Sequence, residues 1–404
     1  YLMALQDKGN PVIFTNGDND TFPLWYNQET EGVRTDARVC NLSYLQTDWY
    51  IDQMRRPAYD SPSLPISWTR LQYVTGTREG IPVQPDALQQ VIDYYKDSPE
   101  DLKQMLGDNP YELKNIIRHW VLNDNPDLQS FATDSIVVTV DKEAVKRSGM
   151  MIAADSIPDV MHISLKGKRA VYKSEMMMLE MISQANWERP LYMSTTVGPD
   201  NYGHLGDNFV QEGLACRITP FDTKQSGRTI DSERMYNNMM NKFKYGGLKE
   251  NPDIYLDETV IRMCYTHRRL FNQLAQQLLK EGQKDKALKV LQRAEEEIPG
   301  SIVPHEAFYG HSLELADAWL ALGHKAEAEK LLNAVGQNAK EYIEWYLSLN
   351  TQRLLQSSRE CLMQIYILND IAKTWEPIDK KKAETYRMEV NNYASRCHQR
   401  GMSL

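Results

Sequence analysis

The apolar positions change their period once along the chain. Through roughly the first 250 residues, short apolar runs alternate with helical stretches and polar loops. Beyond about residue 255 the period is helical throughout, and Gly and Pro thin out. Val12-Ile13-Phe14-Thr15 predicts a short buried strand. The polar run Asn16-Gly17-Asp18-Asn19-Asp20 follows as a loop, and then a helix capped by Asp20 or Thr21, with Pro23 in its first turn. Arg38-Val39-Cys40-Asn41-Leu42-Ser43 predicts a second strand, and Thr47 caps a helix through Trp49, Ile51 and Met54. Strands alternating with short helices predict an α/β domain with a parallel sheet.

Residues 57–85 are rich in Pro, Ser and Gly and read as an irregular excursion with one hairpin around 66–74. Residues 86–123 read as helical, with Ser98-Pro99-Glu100-Asp101 as a capping pattern and Asn109-Pro110 opening a further helix. Together these make a Pro-rich and helical insertion at about 57–130. Strands return at 135–140 and 160–165. Ser174 caps a helix carrying Met176, Met177, Leu179 and Ile182, and Arg189 to Ser194 is the next strand. That order predicts a right-handed crossover within the parallel sheet. A second polar loop, Gly198 to Asp207, and an apolar stretch, Phe209 to Ile218, complete the region.

In the helical end, Leu274 to Gly282 aligns with Leu315 to Gly323 at a shift of 41, and Ala287, Leu291 and Ala294 match Ala328, Leu332 and Val335. Small residues let two helices touch, and each glycine falls at the turn between them. The pattern resembles the tetratricopeptide repeat, with a weak third copy in 351–400. The expected organisation is an α/β domain over 1–250 and an all-α, tetratricopeptide-like repeat domain over 251–404.

Composition narrows the function classes. Over 404 residues, apolar content is 42% and charged content 25%, the usual range for a globular chain. A net charge of −9 argues against nucleic acid as a partner, because phosphate binding needs a basic face. No apolar stretch approaches the ~20 residues of a membrane span. Tyr1 to Leu5 reads as the tail of a helix already under way, so the chain is expected to be a processed or excised piece. The five cysteines, Cys40, Cys216, Cys264, Cys361 and Cys397, form no CxxC pair and read as small buried hydrophobes.

Candidate chemistry concentrates at the two polar loops. Asp18 and Asp20 form an acid-x-acid pair after a strand, and hard oxygen ligands there suit a divalent metal such as Mg²⁺, Mn²⁺ or Ca²⁺. Asn16 and Asn19 beside them are candidates for binding, while the plainer alternative makes Asp20 a helix cap and Asp18 an Asx turn, with Asn16 and Thr21 as turn formers. Trp25, Tyr26, Trp49 and Tyr50 follow the strand ends and either stack on a sugar ring or fill the core. In the second loop, Tyr202, His204 and Asp207 are candidates for binding, and His204 with Asp207 for acid–base work. Met150, Met151, Met176, Met177, Met178 and Met181 read as core filler rather than soft-metal ligands. No nucleophile elbow, HExxH, GxGxxG or P-loop is present.

Several long motifs carry a family resemblance. They are Thr15 to Glu29, Glu31-Gly32-Val33-Arg34-Thr35-Asp36, Val39 to Ser43, Thr47 to Ile51, Asn186 to Tyr192 and Phe209 to Ala215. The chain resembles the multi-spanning membrane proteins of Bacteroidetes that are related to the eukaryotic transmembrane protein O-mannosyltransferase. The resemblance implies an N-terminal bundle of GT-C glycosyltransferase type, holding the catalytic acid and the lipid-linked sugar site. This chain would then be the extramembrane C-terminal region on the periplasmic face of the inner membrane. Its partners would be its own membrane domain, a lipid-linked sugar or glycan acceptor, and a protein or peptide on the helical repeats. No catalytic residue is carried onto a position here, and Cys40 departs from the aliphatic residue expected of the family.

The leading expectation is therefore a region that binds substrate or partner rather than catalysing. A tetratricopeptide-type interaction scaffold and a metal-dependent enzyme using Asp18 and Asp20 are the alternatives. The enzyme reading requires Asp18 and Asp20 to converge with the 198–212 loop on one cleft.

Overall fold

The computed structural model describes residues 1–152 and 156–402, with the backbone alone at His204. It divides into two compact units, Tyr1–Phe243 and Lys244–Leu404. The first carries a sheet with helices around it and the second is all-helical.

Nine strands lie in the first unit: β1 (Val12–Thr15), β2 (Arg38–Asn41), β3 (Gly80–Pro82), β4 (Ser135–Thr139), β5 (Val160–Ser164), β6 (Ala170–Tyr172), β7 (Leu191–Ser194), β8 (Phe209–Gln211) and β9 (Ala215–Ile218), counted among the described residues. The main sheet has the order β2-β1-β7-β9-β8. β1 runs parallel to β2, with Val12 opposite Arg38, and parallel to β7, with Val12 opposite Leu191. β1, β2 and β7 are buried at every residue, as strands covered on both faces must be.

The sheet is mixed, which corrects the expectation of a parallel one. β9 runs antiparallel to both β7 and β8. Only Glu212-Gly213-Leu214 separates β8 from β9, and so short a link makes a hairpin, never a parallel crossover. Gly213 is required there: its φ is 127°, and an added Cβ would stand 2.9 Å from the Phe243 ring. Two further expectations fail for a related reason. β4 and β5 pair with each other in their own antiparallel ladder, so neither enters the main sheet. The 66–74 hairpin is absent; the short helix Arg70–Tyr73 lies there, and β3 pairs instead with β6. An apolar run specifies a strand, but its partner is chosen by long-range burial.

Helix α1 (Asp18–Glu31) joins β1 to β2, and α2 (Asp48–Met54) follows β2. Short helices α3 (Arg70–Tyr73), α4 (Ala87–Tyr94), α5 (Pro99–Leu106), α6 (Leu113–Ile116) and α7 (Lys142–Arg147) fill the excursion before β5. Helix α8 (Lys173–Gln184) is buried along almost its whole length, its methionines packed in the core. Its three buried charges all have partners, Glu175 meeting Lys168 Nζ at 2.6 Å. Lys173 Nζ stands 2.6 Å from Glu79, and Glu180 Oε1 accepts from the Ser67 N–H and hydroxyl. Helices α9 (Thr223–Ser226) and α10 (Ser232–Asn237) close the unit.

The second unit pairs α11 (Glu258–Lys280) with α12 (Lys284–Glu297), and α13 (Ser312–Ala321) with α14 (Lys325–Ser348). Gly282 and Gly323 turn the chain between partners with φ of 75° and 83°. Leu274, Ala275, Leu278, Ala287 and Leu291 are buried in one pair, and Leu315, Ala316, Trp319, Ala328 and Leu332 in the other. The irregular stretch between the pairs is held by the buried Arg268, which donates to the carbonyls of Ile298, Val303 and Pro304. Helices α15 (Thr351–Gln356), α16 (Ser358–Trp375) and α17 (Lys380–Gln399) follow.

Candidate functional site

The C-terminal ends of β1, β2 and β7 meet at one edge of the main sheet. Chain connections leave β1 for β2 on one side, while β7 arrives from far along the chain on the other. Such a switch point in a parallel segment leaves a crevice where ligands bind in α/β folds. Helix α1 starts there, three residues earlier in the chain than a helix capped by Asp20, and four earlier than one capped by Thr21. Its N-cap is Gly17, with φ 85° and ψ 179°, a conformation that essentially only glycine adopts. Asp18, Asn19 and Asp20 are therefore first-turn helical residues, which suits their charge against the helix dipole. Pro23 lies in the second turn rather than the first.

Asp20 is the centre of a polar knot and only 6% exposed. Its Oδ2 accepts from the Thr196 hydroxyl at 2.7 Å, the Asn16 N–H at 3.3 Å and the Ser194 hydroxyl at 3.4 Å. Beneath it, the Thr15 and Thr21 hydroxyls are 2.8 Å apart, and Asn41 Nδ2 donates to Thr21 at 2.8 Å. Ser43 donates to Asn16 Oδ1 at 2.5 Å. The knot ties the three strand ends and the helix start together. Ser194, Thr196, Asn41 and Ser43 were not singled out from the sequence. A run of hydroxyl residues directly after a strand, Ser194-Thr195-Thr196, was the available signal.

Asp18 and Asn19 are exposed. Two positions apart on a helix, Asp18 and Asp20 point to different faces, so the turn presents one free carboxylate to solvent and one engaged in the knot. Among the described residues, no group of three or more His, Cys, Asp or Glu is placed to hold a metal ion.

An aromatic ladder runs along the same edge. Phe22 stacks on Trp25 at 5.6 Å, Trp25 on Tyr44 at 6.2 Å with 13° between planes, and Tyr44 meets Trp49 at 5.9 Å. Trp49 in turn meets Tyr50 edge-on. The ladder is anchored at Tyr50, which is buried and accepts from the Asn41 N–H at 2.9 Å. It opens to solvent at its two ends, Phe22 at 44% and Trp49 at 50% exposure, with Trp25 half-buried between them. Tyr26 is exposed one turn along α1 from Phe22.

Residues of the second loop are placed elsewhere. Tyr202 packs on Phe209 at 4.8 Å at the margin of the core, where burial raises its phenol pKa. Asp207 lines a cavity of ≈ 760 Å³ with Asp159, His162, Phe221, Asp222 and Arg228. None of Asn16, Asp18, Asn19 and Asp20 is in the wall of that cavity among the described residues. The His204 side chain lies outside the described residues. Among the described residues of 194–212, Ser194 and Thr196, at the start of the segment that leads to the second loop, are the ones that reach Asp20.

The edge can position a ligand with an apolar face and a hydroxylated rim. Among the described residues it offers no paired acid and base, and its buried carboxylate, Asp20, is committed to three donors. Among the described residues, no helix is long and apolar enough to cross a membrane. No curated protein and no solved structure matches the chain. One family does match, described as TMEM260-associated domain 2, over residues 1–238. With more than half of its length covered, the chain belongs to the TMEM260-associated domain 2 family.

Proposed function

We propose that this chain is the extramembrane region of a GT-C-like membrane glycosyltransferase protein, binding a carbohydrate at the β1–β2–β7 edge rather than catalysing its transfer. The observation that carries this reading is the aromatic ladder, exposed at Phe22 and Trp49 and flanked by exposed Asp18, Asn19 and Ser43. A sugar ring has apolar C–H faces that stack on aromatic rings and equatorial hydroxyls that seek carboxylate and amide partners. Family membership and the relation of such proteins to O-mannosyltransferases support a glycan acceptor or a lipid-linked sugar head as the ligand. On this reading the region stands on the periplasmic face of the inner membrane, joined to a membrane domain that performs the chemistry.

The test is a tryptophan-fluorescence and NMR titration with mannose-, glucose- and galactose-containing oligosaccharides, run on the wild type, Phe22→Ala and Trp49→Ala. Saturable binding weakened at least about tenfold in both variants is expected, which is the loss of ~1.4 kcal/mol of contact. No saturable binding by any sugar would overturn the reading.

The paired helices α11/α12 and α13/α14 favour a second reading. Their shared shift of 41 residues and their glycine turns suit a tetratricopeptide-like scaffold, with the exposed Tyr309, Tyr342 and Trp345 available to a peptide. The metal-dependent enzyme has less support, because Asp18 and Asp20 diverge and Asp207 lines a different cavity.

A further inference from the structure

The C-terminal helical hairpin brings two of the five cysteines into contact. Cys361 lies in the first turn of α16, and Cys397 in the last turn of α17. The two helices form a hairpin whose turn runs from Trp375 to Lys380. These thiols therefore sit at its open end, furthest from the covalent connection. Their Sγ atoms are 3.9 Å apart, in van der Waals contact, and both residues are completely buried. The other three cysteines have no such neighbour: Cys40 is in β2, Cys216 in β9 and Cys264 in α11.

We infer that Cys361 and Cys397 close a disulfide when the chain folds in the presence of a disulfide-bearing oxidant. One cysteine thiolate attacks a sulfur of the oxidant to give a mixed disulfide, and the other displaces the oxidant's remaining thiolate. Two S–H bonds are broken and one S–S bond is formed within the chain. Two electrons pass to the oxidant, and the two protons lost by the cysteines are taken up by its two thiolates, so it leaves as two thiols. The bond requires the Sγ atoms to close from 3.9 Å to the ~2.05 Å of a disulfide.

Burial sets the timing of the reaction. In the folded hairpin, desolvation and the neighbouring sulfur push the Cys361 thiol up to about 12, and burial raises Cys397 as well. Few thiolates are then available at neutral pH, and no solvent path leads to them. Oxidation therefore belongs to the folding chain, before α17 docks on α16. Once formed, the link staples the open end of the hairpin. The turn at Asp379 already restrains the other end, where the Asp379 side chain accepts from the Lys382 N–H. Along its length α17 is otherwise tied to α14 by side-chain pairs at the surface, Arg396 with Glu344 and Lys340 with Glu389. This inference concerns the helical unit alone and does not depend on sugar binding at the sheet edge.

The experiment is to unfold and reduce the chain, then refold it in a mixture of reduced and oxidised glutathione. Remaining thiols are alkylated, and the chain is digested for mass spectrometry. The expected result is one cross-linked peptide pair containing Cys361 and Cys397, with Cys40, Cys216 and Cys264 alkylated. Oxidised wild type should melt about 5 °C or more above the reduced chain by circular dichroism. That difference should vanish in Cys361→Ser/Cys397→Ser, whose unchanged helical spectrum reports that it folds. Alkylation of all five cysteines after refolding, or a link to any of the other three, would overturn the inference. So would an equal melting difference in the double variant.

Discussion

The two units satisfy their backbone carbonyls in different ways. In the sheet-bearing unit, arginines reach across the chain to carbonyls in loops and at the ends of short helices. Arg34 donates to Leu2, Leu5 and Gln6, Arg189 to Asn10, Pro62 and Ser63, and Arg78 to Gln72, Val121 and Asn123. In the helical unit the long cationic side chains mostly meet carboxylates at the surface, as Arg262 with Glu258 and Arg387 with Glu376. Two arginines there behave like those of the sheet unit, and both serve breaks between helices. Arg268 serves the 298–304 stretch, and Arg400 serves Leu347 and Leu349 at the end of α14. The difference teaches that the need arises from broken backbone rather than from the unit. Helices satisfy their own carbonyls except at their ends, and excursions do not.

Removing Arg268 should have the largest effect. Arg268→Ala leaves the buried carbonyls of Ile298 and Val303 and the part-buried carbonyl of Pro304 unserved, and is expected to cost on the order of 3–5 kcal/mol in urea unfolding of the helical unit. A loss under about 1 kcal/mol would break the comparison, because it would make this arginine equivalent to a surface pair.

Glu212 sharpens the same comparison through pH. It is fully buried; its Oε2 accepts from Tyr192 at 2.8 Å and faces Arg234 at 3.5 Å, while its Oε1 has no hydrogen-bond partner. Burial raises its pKa above 4.5, against the opposing pull of Arg217 and Arg234. Between 4.5 and the folded value, the folded state retains a proton that the unfolded state has lost. Unfolding then releases a proton, so this group's contribution to stability falls as pH rises through that window and levels off above it. The urea midpoint of the sheet unit should show that slope, and Glu212→Gln should remove it. A slope unchanged in the variant would assign the pH dependence to other groups.

Gly17→Ala forces a side chain into the backbone conformation that starts α1 and should cost about 1–3 kcal/mol, although nothing stands within 4 Å of the added Cβ. A neutral result would mean that the helix start shifts to escape the strain, and the Asn16 amide signal in NMR would move with it. Smallest is Arg396→Ala. Its carboxylate partner Glu344 is half-exposed, so the loss is expected to stay below ~1 kcal/mol and to shrink further in high salt.

What was legible in the sequence was local. Val12 to Thr15 and Arg38 to Asn41 announce strands because Val12, Ile13 and Phe14, and Val39 and Cys40, form short apolar runs bounded by polar or turn-forming residues. The columns of α11 to α14 announce paired helices because Leu274 and Ala275 recur as Leu315 and Ala316. What was not legible was partnership. Nothing in Ser135 to Thr139 reveals that its mate is β5 rather than β7, and three residues at 212–214 had to be read as a hairpin to reverse β9. At the sheet edge, Asp20 was visible as an acidic residue after a strand, but its donors Ser194 and Thr196 come from far along the chain. Exposure of the ladder was equally hidden. Trp25, Tyr26, Trp49 and Tyr50 look alike in sequence, yet Tyr50 is buried and Trp49 is half-open, because α2 turns one toward β2 and the other toward solvent.

The pairing of β1 with β7 has a kinetic consequence. β1 and β2 can join as soon as α1 has folded back, but the other edge of β1 must wait for Leu191 to Met193. Everything from the second strand to the end of α8 intervenes, so the central strand carries an unpaired, wholly apolar edge through most of assembly. Contacts this distant in sequence slow folding, since the loop must close before the pairing rewards it. Refolding of the sheet unit should accordingly be slow and sensitive to protein concentration, and a peptide copying β7 should compete for the waiting edge.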